Sequence, residues 1–404
     1  MLKRCWVFFI LSFWIAIALS QDMGIQGKSF KDAEPLPPIV VSGDEWHQLT
    51  LSNSSFEEGS NDYPSDWDRW GKGDFFWSNE AFEGRRSVGL RKTDWSTGWK
   101  SLSFPVFADY QKEYPWYYCE AYIKTKGASG RIFLSISWYG EKGWLGNSRS
   151  PYFLHPDTKV WYKISLFALP PKGAQRGEIY LRADKEITGE VLFDSVKLYS
   201  LSLPLLSPVG DDFDSPYISF ISDYPSHPLI CYAYLQIAQT AEDKWEGKRE
   251  KPELLSAINE YANLANLFPF WKSWALSKEA EICIKGEEYE KALEIGEKLL
   301  KELPEEKGIA YYILSDAYKE IGEYENSLSY AKQALENAKE DDWFLSRAKM
   351  NVAYALDMLG ECKQALESYK EIVEKQPDQL PLALLGLGGR YSDLGSYDTA
   401  IEIF

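Results

Sequence analysis

Ten tryptophans lie between Trp46 and Trp161, at 46, 67, 70, 77, 95, 99, 116, 138, 144 and 161. Sugar rings present C–H faces that pack on aromatic planes, while their hydroxyls need amide, carboxylate or guanidinium partners. A saccharide site therefore wants exposed rings beside polar side chains. The set that fits is Trp99, Tyr118, Glu120, Tyr122 and Tyr139 on one expected outward face, with Trp77, Trp95 and Trp144 in or near adjoining loops. The competing use of a tryptophan in a sheet protein is core packing, and Trp138 shows it, alternating with Ile132, Leu134 and Ile136.

From about 46 to 200 the texture is all-β, with short aromatic and β-branched runs punctuated by turn residues. The expected strands are His47–Leu51, Phe75–Ser78, Ser87–Lys92, Trp99–Phe104, Tyr117–Thr125, Ile132–Tyr139, Tyr152–Leu154, Trp161–Leu169, Glu178–Ala183 and Glu190–Tyr199. In the fifth, Tyr117, Cys119, Ala121 and Ile123 point one way, and Tyr118, Glu120, Tyr122 and Lys124 the other. One face belongs on a core and the other meets solvent or ligand. Such strands over some 155 residues predict a two-sheet sandwich.

Two stretches bracket this region. Asn53-x-x-Phe56-Glu57-x-Gly59 runs to Pro64-x-x-Trp67, and Gly189 to Tyr199 holds Phe193-Asp194. Between them come Phe76-Trp77, Gly84-Arg85-Arg86-Ser87 and Thr97-Gly98-Trp99. The ordered set resembles carbohydrate-binding modules of the family 4/9 type, galactose-binding-like jelly rolls shared with xylan-binding relatives. The chain departs from that pattern at Ser195, where a second aspartate is common. The resemblance implies glycan binding and a structural calcium ion (Ca2+) tying the first and last strands. Its matching side chains are Glu57 and Asp194, with backbone carbonyls near Ser87 completing a hard-oxygen shell. A hydrogen-bonded carboxylate pair without metal is the other reading.

The texture changes at 228. Small residues recur at Ala257, Ala292, Ser327, Ala365 and Ala400, spaced 35, 35, 38 and 35. Glycines mark turns at Gly286, Gly322, Gly360 and Gly395, and Pro269, Pro304 and Pro377 close units. Glycine permits the sharp turn, the small residue lets paired helices approach, and proline ends the second helix. This resembles the tetratricopeptide repeat over 228–404 and implies an all-α solenoid with a groove for a protein partner. Groove residues are expected around Tyr311, Asp316, Lys349, Asn351 and Tyr354. The final unit stops in its second helix at Phe404.

The ends and joints read as follows. Lys3 and Arg4 precede an apolar run from Trp6 to Leu19, and Ala18-Leu19-Ser20 supplies small residues before Gln21. That is the pattern of a signal peptide over 1–20, cleaved to leave no membrane span, with an uncleaved anchor as the alternative. Residues 21–45 read as a flexible lead, and 201–227, with Pro204, Pro208, Pro216 and Pro225, as a linker or strap. The expected location is secreted, periplasmic or cell envelope.

Charge is uneven. Residues 201–404 carry 20 Lys+Arg against 37 Asp+Glu and supply the whole net charge of −17. An acidic surface repels phosphate backbones, which argues against nucleic acid. Cys119, Cys231, Cys283 and Cys362 show no metal-ligand spacing and read as buried hydrophobes. His47, His155 and His227 are scattered, and no nucleophile triad, phosphate loop or zinc motif is present. The expected protein is a non-catalytic, exported glycan-binding adaptor. The alternatives are a scaffold whose jelly roll no longer binds sugar, and an accessory subunit of an envelope glycan-processing complex.

Overall fold

The computed structural model describes residues 30–32, 46–60, 63–93, 96–106, 112–128, 130–154, 157–158, 160–184, 187, 189–206, 216–339, 342–375 and 380–403. An all-β sandwich is followed by paired helices. The seven-stranded sheet runs β1 (Phe30–Asp32), β13 (Trp161–Ala168), β10 (Glu113–Lys126), β15 (Glu190–Pro204), β7 (Ser87–Arg91) and β6 (Asp74–Ser78), with β2 (His47–Leu49) also on β15. The six-stranded sheet runs β12 (Gly143–Arg149), β11 (Arg131–Gly140), β14 (Arg176–Asp184), β8 (Ser96–Ser101) and β5 (Trp67–Trp70), with β9 (Phe104–Pro105) on β14. A short hairpin, β3 (Gly59–Ser60) with β4 (Tyr63–Pro64), completes the set. Apart from the parallel β1–β13 edge, these pairings are antiparallel.

Between the sheets lies a dry core. Tyr117, Cys119, Ala121 and Ile123 of β10 meet Ile132, Leu134, Ile136 and Trp138 of β11, as the alternation requires. Strand β12 was not expected. Gly143, Gly146 and Asn147 read as turn residues, yet the chain pairs antiparallel with β11 from Gly143 to Arg149. Cross-strand pairing overrides local propensity there. Conversely, 152–154 contributes only an isolated bridge from Phe153 to Ile132.

The stretch 201–227 is structured where it is described. Residues 201–204 extend β15, and α1 (Pro216–Asp223) follows. Among the described residues five helix pairs come next: α2 (Ile230–Lys248) with α3 (Lys251–Leu267), α4 (Lys272–Lys285) with α5 (Tyr289–Glu302), and α6 (Lys307–Ile321) with α7 (Tyr324–Asn337). Then come α8 (Leu345–Met358) with α9 (Cys362–Lys375) and α10 (Leu380–Asp393) with α11 (Tyr397–Ile403). The recurring small residues sit in the second helix of each pair, where Ala257, Ala292, Ser327 and Ala365 are fully buried. Gly322 caps α6 at φ +89°, a left-handed conformation that glycine adopts without strain.

Sandwich and helices share one core. Tyr114, Trp116, Tyr118 and Phe167 pack in the same cluster as Tyr217, Phe220, Tyr232, Tyr261 and Trp271. The Trp116 ring lies 4.9 Å from Phe220, and Phe167 lies 4.2 Å from Tyr232. Each such fully buried ring removes roughly 150–250 Å² from water. The two units are therefore packed together by their largest side chains. Cys119, Cys231 and Cys283 are buried as expected, but Cys362 is exposed at the start of α9.

Candidate functional site

The outer face of the six-stranded sheet forms a cleft of about 490 Å³. Its floor is set by the two-residue period of the strands. On β11, Arg131, Phe133, Ser137 and Tyr139 face the cleft, while Ile132, Leu134, Ile136 and Trp138 face the core. On β14 the cleft takes Tyr180, Arg182 and Asp184, and on β12 it takes Trp144, Asn147 and Arg149. Trp70 of β5 closes one side. The opposite wall belongs to helix α2, through Asp243 and Glu246.

The rings there are held at fixed angles. Trp70 stands edge-on to Tyr180 at 5.5 Å and 83°, and the Arg182 guanidinium sits 4.9 Å above the Trp70 ring. The Tyr139 and Tyr180 hydroxyls lie 3.3 Å apart. Burial, then the Tyr139 hydrogen bond, pushes the Tyr180 phenol well above its ordinary range, so it stays a neutral donor. Trp144 is 63 % exposed, beside the exposed amide of Asn147.

Every guanidinium in the cleft is paired. Arg131 makes a two-pronged pair with Glu246, Arg182 meets Asp184 at 3.1 Å, and Arg149 meets Asp243 at 3.0 Å. Arg149 also reaches Glu242 at 3.0 Å, beneath the cleft, where both are almost fully buried. Lys278 of α4 stands 3.6 Å from Glu242, and the Tyr261 hydroxyl donates to it at 2.7 Å. Burial alone would raise the Glu242 carboxyl, but the Lys278 and Arg149 charges outweigh it and hold it at about 2. The Tyr152 ring lies under both Arg149, at 4.2 Å, and Arg131, at 4.8 Å. This network joins the sandwich to the first two helix pairs. Sequence reasoning missed it because its members are far apart in the chain and each looks like ordinary surface charge.

The expected ligand set splits. Tyr139 and Trp144 line the cleft. Trp99 does not: it is fully buried between the sheets, its indole N–H donating to the Gly89 carbonyl at 3.0 Å. Tyr118, Glu120 and Tyr122 do point outward from β10, but that face is covered. Tyr118 stacks on Phe167 at 4.4 Å beneath the helices and donates to Glu120 at 2.5 Å. Tyr122 stacks on Phe82 at 3.6 Å under the loop before β7. All three are less than a tenth exposed, so none is a free platform. Trp77 is half-buried, donating to the Phe56 carbonyl at 2.8 Å with Arg86 4.5 Å over its ring. Trp95 lies outside the described residues. Trp70, Tyr180, Arg131 and Arg182 were not singled out in advance. The alternation of β14, with Tyr180 and Arg182 opposite Ile179 and Leu181, was the available signal.

Glu57 and Asp194 clamp one loop. Asp194 accepts backbone N–H bonds from Phe82 at 2.6 Å and Glu83 at 2.9 Å, and its other oxygen accepts from Ser195 at 2.6 Å. Glu57 accepts from Arg85 at 2.8 Å and Arg86 at 2.9 Å. Gly84, between these donors, has φ +72°, and a Cβ there would strike the Glu57 carboxylate. Burial pushes the Asp194 carboxyl up to about 7, and the Glu57 charge adds to the rise against the backbone bonds. Both oxygens of Asp194 and Oε1 of Glu57 thus already accept backbone N–H bonds, which leaves Oε2 of Glu57 as the carboxylate oxygen of the pair outside this clamp. Among the described residues there is no cluster of three or more His, Cys, Asp or Glu able to hold a metal.

In the solenoid, Asp316 and Asn351 come together at 3.3 Å, with Lys319 2.6 Å from Asp316. Tyr354 lies 6.1 Å from Tyr324 and is 37 % exposed. Tyr311 stacks on Tyr330 of its paired helix, and Lys349 is half-buried.

No protein-family model matches the chain, and no curated protein matches it. Solved structures do. A CBM22-1 xylan-binding domain of Paenibacillus barcinonensis Xyn10C is 15% identical, with a TM-score of 0.31, over 40% of this chain and 98% of that one. YrrB, described as a TPR protein with an unusual peptide-binding site, is 19% identical, with a TM-score of 0.33, over 47% of this chain and 89% of that one. The enzymatically active domain of bacteriophage CBA120 tailspike protein 4 is 16% identical at a TM-score of 0.29 over 37% of this chain. The match spans 21% of that tailspike chain. No helix among the described residues is long and apolar enough to cross a membrane.

Proposed function

We propose that this chain is an exported, non-catalytic glycan-binding adaptor. Its cleft on the six-stranded sheet takes a polysaccharide or cell-envelope glycan, and its helix pairs take a protein partner. The observation that carries this reading is Trp144, an indole 63 % exposed at the mouth of a cleft with further rings and fixed hydrogen-bonding groups. The exposed indole offers an apolar plane on which the C–H face of a sugar ring can pack. The ordered jelly-roll residues from Asn53 to Asp194 support the ligand class, and the basic start with an apolar run from Trp6 to Leu19 supports export to the envelope or medium. We assign Glu57 and Asp194 as the carboxylates that would hold a structural calcium ion.

The test is retention of the whole chain in native gels cast with a panel of soluble polysaccharides. Wild type is expected to be retarded by at least one, and Trp144→Ala to run as in a blank gel with its melting temperature unchanged. A chain retarded by none of them overturns the reading. That outcome would favour a scaffold, a role to which the shared core of sandwich and helices is also suited.

A further inference from the structure

We infer that the cleft takes an acidic glycan, one whose sugar rings carry carboxylate or phosphate groups, and that Arg176 is the cation that reads them; the inference rests on the glycan-binding reading above. The cleft has two unlike ends. Tyr139 pairs with Trp144 on one side and Arg176 on the other, whereas Arg131, eight residues back along β11 and so about 27 Å away, pairs with Asp184. At the Arg131 end the cations are already satisfied, Arg131 by Glu246 and Arg182 by Asp184. At the Trp144 end they are not. The Arg176 guanidinium stands 4.8 Å over the Tyr139 ring, is exposed, and has no carboxylate partner among the described residues.

Two turns build that end, one joining β11 to β12 and one leading into β14. They pack together: the Gln175 N–H donates to the Tyr139 carbonyl at 2.8 Å, and a Cβ on Gly140 would lie 2.6 Å from the Gly173 carbonyl oxygen. The turns bring exposed Lys142 and Lys172 to the same end as Arg176, and among the described residues neither lysine has a carboxylate partner. From Tyr139 to Leu145 and from Pro170 to Arg176 the chain holds these three cations against one carboxylate, Glu141. This local positive surplus stands in a chain of net charge −17. Stacking on Tyr139 fixes the guanidinium plane and leaves its N–H edge free, the arrangement that takes a carboxylate or phosphate two-pronged. A sugar ring lying on Trp144 would carry such a group to that edge.

The experiment uses the full chain in native gels at about 0.15 M salt, where surface charges are screened beyond about 8 Å. The gels carry polygalacturonate or alginate for the carboxylate, phosphomannan for the phosphate, or neutral xylan, mixed-linkage glucan or mannan. Wild type is expected to be retarded more strongly by an acidic polymer than by any neutral one, and the acidic arm that responds names the group. Arg176→Ala is expected to weaken acidic retention by about tenfold with the melting temperature unchanged. Arg176→Lys, which keeps the charge and loses the fork, should recover only part of it. Retention by neutral polymers that equals or exceeds the acidic, or acidic retention that Arg176→Ala leaves intact, overturns the inference and leaves glycan binding standing. No retention by any polymer removes the underlying reading and the inference with it.

Discussion

The two outer faces of the sandwich are built alike and end differently. On the seven-stranded sheet, Trp116, Tyr118, Glu120 and Tyr122 alternate with a core-facing row. On the six-stranded sheet, Arg131, Phe133, Ser137 and Tyr139 do the same. The first face is sealed by α1, α2 and the loop at Phe82, and its rings serve cohesion. The second stays open, with Trp144 at its mouth and α2 as a wall. Outward-pointing aromatics become a ligand platform only where no other element covers them, and strand alternation carries no information about that cover.

Substitutions on the two faces should separate stability from binding. The largest effect is expected at the sealed face. Trp116→Ala should destabilise the chain by about 3–5 kcal/mol, measured by urea unfolding. Sandwich and helices should lose structure in one transition, because they share that core. Two separated transitions in the wild type would break the comparison at its root.

Arg149→Ala, where the sandwich meets α2, should cost about 3–5 kcal/mol, because it leaves buried Glu242 with Lys278 as its remaining cation. The same network sets an acid limit. Glu242 titrates near 2 in the folded chain and near the ordinary carboxylate value when unfolded. Its contribution to stability is therefore complete above about pH 5 and is lost as pH falls toward 2. A Glu242→Gln variant should be less stable at neutral pH and should show a flatter acid limb.

Calcium comes next in size. Adding it at ~100 times its dissociation constant should stabilise wild type by about 2.7 kcal/mol, and chelation should remove the gain. Asp194→Ala should abolish the response to either. An identical melting curve with calcium and with chelator would leave Glu57 and Asp194 as a loop clamp through backbone N–H groups alone. At the open face, Trp144→Ala should shift stability by less than about 0.5 kcal/mol while removing glycan retention. Tyr122→Ala should do the reverse, lowering stability and sparing retention by the fraction that stays folded. Retention lost in both to the same degree would show that the faces do not differ in function.

Much of the architecture was legible because it repeats. Spacings of 35, 35, 38 and 35 residues located the helix pairs, since each pair must bury its small residue to approach its partner. The Tyr117–Ile123 alternation located a central strand for the same reason. The site was legible only at Tyr139 and Trp144. Trp99 failed because Gly98 and Lys100 flank it with no apolar alternation to reveal which way it turns, and the tertiary core claims it. Strand β12 failed because its glycines mimic a turn, so Asn147 and Arg149 were not placed on the sheet.

The sequence by itself determined the division into a sheet unit and a helical unit, through a period of two giving way to a repeat of about 35 residues. It also brought Glu57 and Asp194 to notice at the two ends of the sheet unit. The tertiary structure alone decided which sheet face stays open. It also decided that Asp243 and Glu246 of α2 complete the cleft and that Glu242, Lys278 and Arg149 form one buried network. Periodicity is a local property of the backbone, whereas cover and charge pairing depend on which distant surfaces exclude water from one another.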